Sequence, residues 1–200
     1  MGESNDQMVD QGPTQTQGQA EEDQHQAEIQ TPGTYVMGID QSFTSCGVVV
    51  LDEKSGVVRA KIIKSDKTKT DFERSWTIFK EIYALAQECN VKTIAIEGLA
   101  FGKFGNATRS LAILQGVLVT NLLYLKMLDG KENRTTKVEI ITPSRLKKFA
   151  TNNGKATKKE MISAVPGDLA LEWKKVWKSK GVEDLADAYF LAKILIDIGS

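Results

Sequence analysis

Tyr35-Val36-Met37-Gly38-Ile39-Asp40-Gln41-Ser42-Phe43-Thr44-Ser45-Cys46-Gly47-Val48-Val49-Val50-Leu51 sets two apolar runs of strand length on either side of a short polar turn, and a third run, Val57–Ile63, follows after another short gap. Apolar and β-branched runs bounded by Gly, Ser, Asp and Lys read as strands, and the short connections make them a meander of hairpins. Downstream the period changes. Phe72, Trp76, Phe79, Tyr83 and Ala86 recur every three or four positions, which predicts an amphipathic helix ending near Asn90. Val91–Ile96 is a near-continuous apolar run, as suits a strand covered on both faces. Leu111, Leu114, Leu118, Leu122 and Leu125 mark a second helix, and Val138–Ile141 a fifth strand stopped by Thr142-Pro143. Residues 144–164 read as a helix broken around Asn152-Asn153-Gly154, and Glu183–Ile198 as a closing helix. The order βββαβαβαα predicts an α/β fold built on one mixed five-stranded sheet, an antiparallel meander plus parallel strands, with helices on both faces.

Outward from this region the chain divides into a tail and a domain. Residues 1–33 are rich in Gln and carry Glu3, Asp6, Asp10, Glu21, Glu22, Asp23 and Glu28 with no Lys or Arg. Such a segment buries too little apolar surface to offset its conformational entropy, so 1–33 is expected to be a disordered acidic tail and 34–200 a single folded domain. The whole chain balances 26 basic against 26 acidic residues; removing the seven acids of the tail leaves the domain with 26 against 19, a net charge of +7 that favours a polyanionic partner. The only histidine, His25, lies in the tail, and Cys46 and Cys89 lack metal-site spacing. No apolar run has the length of a membrane helix, and the acidic leader resembles neither a secretory signal nor a transit peptide, so no membrane contact and a cytoplasmic location are expected.

The chemistry sits in four acids. Asp40 directly follows the first strand and Glu97 the fourth. If those strands are parallel neighbours, both carboxylates point into the crevice at the carboxyl end of the sheet, where open α/β sheets place ligands. Asp184 and Asp187 stand three apart on the closing helix and share a face. Apolar stretches flank each acid and draw it toward the interior, where charge needs a partner. Oxygen ligands without His or Cys point to Mg2+ or Mn2+. Other chemistries fall away: no GxxxxGK[ST] or dinucleotide fingerprint is present, so no nucleotide cofactor is expected, and nucleophilic triads lack a histidine in the domain.

Four blocks resemble the RuvC family of Holliday-junction resolvases in the ribonuclease H-like superfamily, from about Val36 to Ile196: Gly38-Ile39-Asp40 with Thr44 and Gly47; Ala95-Ile96-Glu97 with Gly116-Val117; Thr142-Pro143-Ser144-Arg145-Leu146-Lys147-Lys148 leading to Asn153-Gly154-Lys155-Ala156-Thr157-Lys158; and Asp184-Leu185-Ala186-Asp187-Ala188. Gln41-Ser42 replaces the family's usual Pro-Gly and is similar to phage-type members, which implies a bacterial or phage-infected cell. The resemblance implies a ribonuclease H-like fold and a homodimer that cuts four-way DNA junctions by paired symmetric phosphodiester hydrolysis. It makes Asp40, Glu97, Asp184 and Asp187 the metal-binding catalytic acids, and Lys147 and Lys158 active-site lysines. Phe101 falls where the family places an aromatic wedge, with Ala100 at a preceding position that is often bulky.

Two divalent ions per active site would activate the nucleophile and stabilise the departing oxygen. Lys103, Phe104 and Arg109 lie beside Phe101 on the way into the second helix, and Arg145, Lys148, Lys155 and Lys159 fall in a basic run between the acids; all are expected to contact DNA. Paired cuts call for a C2 dimer, expected along Leu111–Leu125 where Gly116 permits close approach. The rival readings are a related nuclease acting on RNA or RNA–DNA hybrid, a non-catalytic junction-binding protein, and an actin-like phosphotransferase, for whose two domains the chain is too short.

Overall fold

The computed structural model describes residues 35–99, 105–128 and 137–199. All belong to the compact unit Pro32–Ser200. In chain order the elements are β1 (Tyr35–Asp40), β2 (Cys46–Leu51), β3 (Val57–Ile63), α1 (Asp71–Glu88), β4 (Val91–Glu97), α2 (Asn106–Leu128), β5 (Lys137–Ile141), α3 (Pro143–Thr151), α4 (Lys158–Ala164), α5 (Gly167–Val176) and α6 (Ser179–Gly199). The strands form one sheet in the order β3-β2-β1-β4-β5. β1, β2 and β3 pair as an antiparallel meander, while β4 runs parallel to both β1 and β5. This is the mixed five-stranded sheet expected from the sequence.

The helix boundaries follow local chemistry. Thr70 caps α1 through a reciprocal pair with Glu73: the Thr70 hydroxyl accepts from the Glu73 amide, and the Glu73 carboxylate accepts from the Thr70 amide. Thr142 caps α3 with Pro143 in its first turn, and Asn152 ends that helix in the left-handed conformation at φ 58°. Thr157 and Glu160 repeat the capping box on α4.

Side-chain alternation gives the sheet two faces. Met37, Ile39, Val48, Val50, Ile94 and Ile96 are fully buried on the face toward α1 and α2. Val36, Val49, Leu51, Ala95 and Ile141 join the core built on α6, together with α3, α4 and α5. Gly38 and Asp40 share the α6 face with Gly47, the residue opposite Asp40 in the register. Neither glycine has room for a side chain. A Cβ on Gly38 would run into the backbone of Ala188 and stand 2.5 Å from the Ala192 nitrogen, and one on Gly47 would stand 2.6 Å from the Asp184 carbonyl carbon. Helix α6 therefore rests directly on the backbone of β1 and β2.

Three details differ from the sequence reading. Asp40 and Glu97 are the last residues of their strands rather than the first beyond them. Helix α5 was not expected: Pro166 precedes its first residue and supplies no side-chain cap, and Lys174 and Lys175 give it the look of a charge run. A tertiary contact that local periodicity does not report holds it, the buried Trp173 packed edge-to-face on Tyr189 with ring centroids 6.3 Å apart. Helix α6 begins at Ser179, four residues earlier than expected.

The backbone seating of α6 gives a direct test. Gly38→Ala should cost about 3 kcal/mol or more by overpacking against rigid backbone. Gly105→Ala, where an added Cβ meets nothing within 4 Å, should leave the thermal midpoint almost unchanged. Equal melting of the two variants would contradict the packing described.

Candidate active site

Parallel pairing places Ile39 opposite Ile96, so Asp40 and Glu97 end adjacent strands side by side, both on the α6 face. Their carboxyl groups share a hydrogen bond. Helix α6 crosses the same end of the sheet, and Asp184 and Asp187 lie close enough for their charges to act on Asp40. Burial first, then Glu97, Asp187 and Asp184, hold the Asp40 carboxyl well above its ordinary range. Burial pushes Asp187 up to about 7; Glu97 and Asp184 add to the rise, while Lys158 and Lys147 oppose it. Burial also raises Glu97, against the hydrogen bond from Asp40 and the charges of Lys147 and Lys158.

Asp184 is 3% exposed. Its Oδ1 receives the Lys180 ammonium at 3.3 Å, and its Oδ2 is buried with no hydrogen-bond partner. Lys158, the first residue of α4, donates to Glu183 Oε2 at 2.9 Å. Lys147 is half-buried on α3.

The loop after Asp40 is fixed from both sides. Gln41 is buried, and its Nε2 donates to the Glu97 carbonyl at 2.8 Å, adding one rung where the β1–β4 backbone ladder ends. The Phe43 carbonyl accepts from Ser65 Oγ at 2.6 Å and from Arg74 Nη2 at 3.3 Å, and the Arg74 guanidinium sits 4.5 Å above the Phe43 ring.

Of the residues singled out in the sequence, Asp40, Glu97, Asp184, Asp187, Lys147 and Lys158 come together at this end of the sheet. Arg145, Lys148, Lys155 and Lys159 are exposed on α3, α4 and the turn between them, and Arg109 is exposed near the start of α2. Phe101, Lys103 and Phe104 lie outside the described residues. Sequence reasoning missed the bridging role of Gln41 and the two α6-side ion pairs, of which Glu183 carried a signal: it stands one helical turn from Asp187, on the same face as the other acids.

Three observations bear on whether the residues suit a divalent cation. The donors are all carboxylate oxygens, burial and then neighbouring carboxylates raise the proton affinities of Asp40 and Asp187, and Asp184 holds an unsatisfied buried oxygen. A hard cation answers all three. Among the described residues no three His, Cys, Asp or Glu side chains form a finished cage, so the acids converge through their fields rather than as a closed coordination shell.

A mixed sheet with acids at the ends of its first and fourth strands, completed by acids on a helix laid across it, defines the ribonuclease H-like class. The family model for the crossover junction endodeoxyribonuclease RuvC matches residues 36–192. Crossover junction endodeoxyribonucleases RuvC from Prochlorococcus marinus are similar: that of subspecies pastoris is 26% identical over 160 residues, covering 78% of this chain and 92% of the relative, and that of strain MIT 9301 is 25% identical with the same coverage. The fold is shared with Thermus thermophilus RuvC, at TM-score 0.62 and 16% identity over 83% of this chain and 97% of the other. It is shared also with the yeast mitochondrial Holliday junction resolvase, at TM-score 0.60 and 14% identity over 82% and 78%. The chain belongs to the RuvC family.

The electrostatics make a prediction about stability in chelator. Between the ordinary carboxyl value of 3.8 and about 7, folded Asp187 keeps a proton that the unfolded chain has released. Its contribution to stability is therefore present at low pH and lost as pH rises through that window. Asp187→Asn should melt higher than the parent at pH 8 in EDTA, and the advantage should vanish near pH 4. A lower melting point at pH 8 would remove the repulsion argument.

Proposed function

We propose that this protein is a metal-dependent, structure-selective endonuclease that resolves four-way DNA junctions by paired phosphodiester hydrolysis. The observation that carries the reading is the convergence of Asp40, Glu97, Asp184 and Asp187 from β1, β4 and α6 under Lys147 and Lys158, in a chain of the RuvC family. Similarity supports the substrate: one structural neighbour, the Thermus thermophilus protein at TM-score 0.60 and 18% identity over 80% of this chain and 90% of the other, is described in complex with a Holliday junction substrate.

In this reading Asp40 is the central ligand, faced by all three other acids, and Glu97, Asp184 and Asp187 complete the sites for two Mg2+ or Mn2+ ions. Ions held there supply an activated water near neutral pH and charge neutralisation at the phosphate. The protein's own part is positional. The acids converge on one end of the sheet, the Gln41 rung ties Glu97 to the loop after Asp40, and the lysines present positive charge to the scissile phosphate. Arg145, Lys148, Lys155 and Lys159 contact the DNA arms, which makes binding steeply salt-dependent. DNA contact is assigned also to Phe101, Lys103, Phe104 and Arg109, by their position in the sequence beside the glutamate and the start of α2. Two buried, unbridged cysteines accord with a cytoplasmic setting.

Paired cutting needs two copies. Leu114, Leu118 and Leu122 of α2 are spent on the chain's own core. The same helix leaves Ala112, Gly116, Leu123 and Tyr124 exposed, and an added Cβ at Gly116 meets nothing within 4 Å. That face is the proposed twofold contact.

Two experiments follow. Asp40→Asn should abolish cleavage of a labelled four-way junction in Mg2+ while retaining junction binding, and the parent should leave linear duplex and RNA–DNA hybrid intact; equal cleavage of linear duplex would defeat the junction assignment. Gly116→Ala should stabilise the single chain by up to about 1 kcal/mol through helix propensity, yet weaken self-association in sedimentation. A variant that dimerises as well as the parent would move the interface elsewhere.

A further inference from the structure

Lys158 and Glu183 form an ion pair that joins α4 to α6 at the edge of the acid cluster, with Nζ to Oε2 at 2.9 Å. An exposed lysine pair of this kind is ordinarily worth little. This one differs in where its two ends are anchored. Lys158 springs from the first position of α4, whose backbone is locked by the Thr157–Glu160 capping box. Glu183 is half-buried and precedes Asp184 directly on a helix seated on the glycine backbone of β1 and β2. The field of the Lys158 ammonium reaches Glu97 on β4 as well as Asp184 and Asp187 on α6. An ammonium has three donors. Glu183 takes one of them, which leaves two available to other acceptors.

We propose that Glu183 is a positioning residue that presents the Lys158 ammonium to the scissile phosphate. The inference rests on the junction-cleaving reading above, in which Lys158 touches substrate and Glu183 does not. A free lysine samples many rotamers and loses that freedom when it is fixed. With Glu183 in place, that ordering is completed on folding instead of at the transition state, where it would slow the reaction. Lys180 pairs with Asp184 from within α6, one turn before that acid, and so ties no second element to the cluster as the Lys158–Glu183 pair does.

The test compares Glu183→Gln, Glu183→Asp, Lys158→Ala and the Glu183→Gln/Lys158→Ala double variant, each checked for melting temperature and for junction affinity in EDTA. Glu183→Gln should keep both, yet cut junctions about tenfold more slowly under single-turnover conditions. Glu183→Asp should recover most of that loss, and the double variant should be no slower than Lys158→Ala alone. A readout independent of cleavage is the acylation of Lys158 relative to Lys155 and Lys159, followed by peptide mass spectrometry. The pair should protect Lys158 in the parent, and Glu183→Gln should abolish the protection. Cleavage by Glu183→Gln at or above the parent rate, or losses that multiply in the double variant, would overturn the proposal. A parent that leaves junctions uncut would instead defeat the functional reading, while the acylation pattern would still report whether the pair exists.

Discussion

Everything at the candidate site depends on how closely α6 lies against the sheet. Helix and sheet normally keep a side-chain layer between them, and that layer would hold Asp184 and Asp187 away from the strand ends. Gly38 and Gly47 remove it where β1 and β2 face Asp40, so backbone meets backbone and the α6 acids come down to the level of Asp40 and Glu97. The helix that closes the hydrophobic core, with Leu185, Ala186, Leu191 and Ala192 buried in it, is thus the helix that completes the cleft. Core packing and acid geometry cannot be altered independently.

This closeness creates an electrostatic conflict that the fold retains. Four carboxylates share a partly desolvated corner, and burial acts with mutual repulsion to raise Asp40 and Asp187 above the ordinary carboxyl range. Lys147, Lys158 and Lys180 relieve the conflict only in part, and one Asp184 oxygen stays unsatisfied. A fold selected for stability alone would replace such a group with apolar side chains. Its retention in a chain of the RuvC family fits a site whose negative charge is balanced from outside by cations.

The sheet was legible in the sequence because its strands are short β-branched runs broken by turn residues, and the order of elements allowed β1 and β4 to be parallel neighbours without requiring it. The placement of Asp40 and Glu97 at strand ends was legible for the same reason: an acid that interrupts an apolar run marks where the run stops. Helix α5 was not, since Trp173 is held by Tyr189 and the lysines around it look solvent-facing. Nor were the α6-side ion pairs. Lys158 and Glu183 are 25 positions apart, and nothing in their local sequence shows that α4 and α6 bring them together. Gln41 was visible only as a departure from the usual Pro-Gly; that its amide bridges two strands depends on the register, which the chain order does not specify to the residue.

That amide has a wider consequence. Strand termini are ordinarily where a sheet frays, and a cleft built there inherits the looseness. Here Glu97 is stitched on both flanks, its carbonyl to the Gln41 side chain and its neighbour Gly98 to the Ile141 carbonyl at 2.7 Å. Two hydrogen bonds, one of them from a polar side chain, carry the ladder to the open rim of the sheet without enlarging the hydrophobic interior.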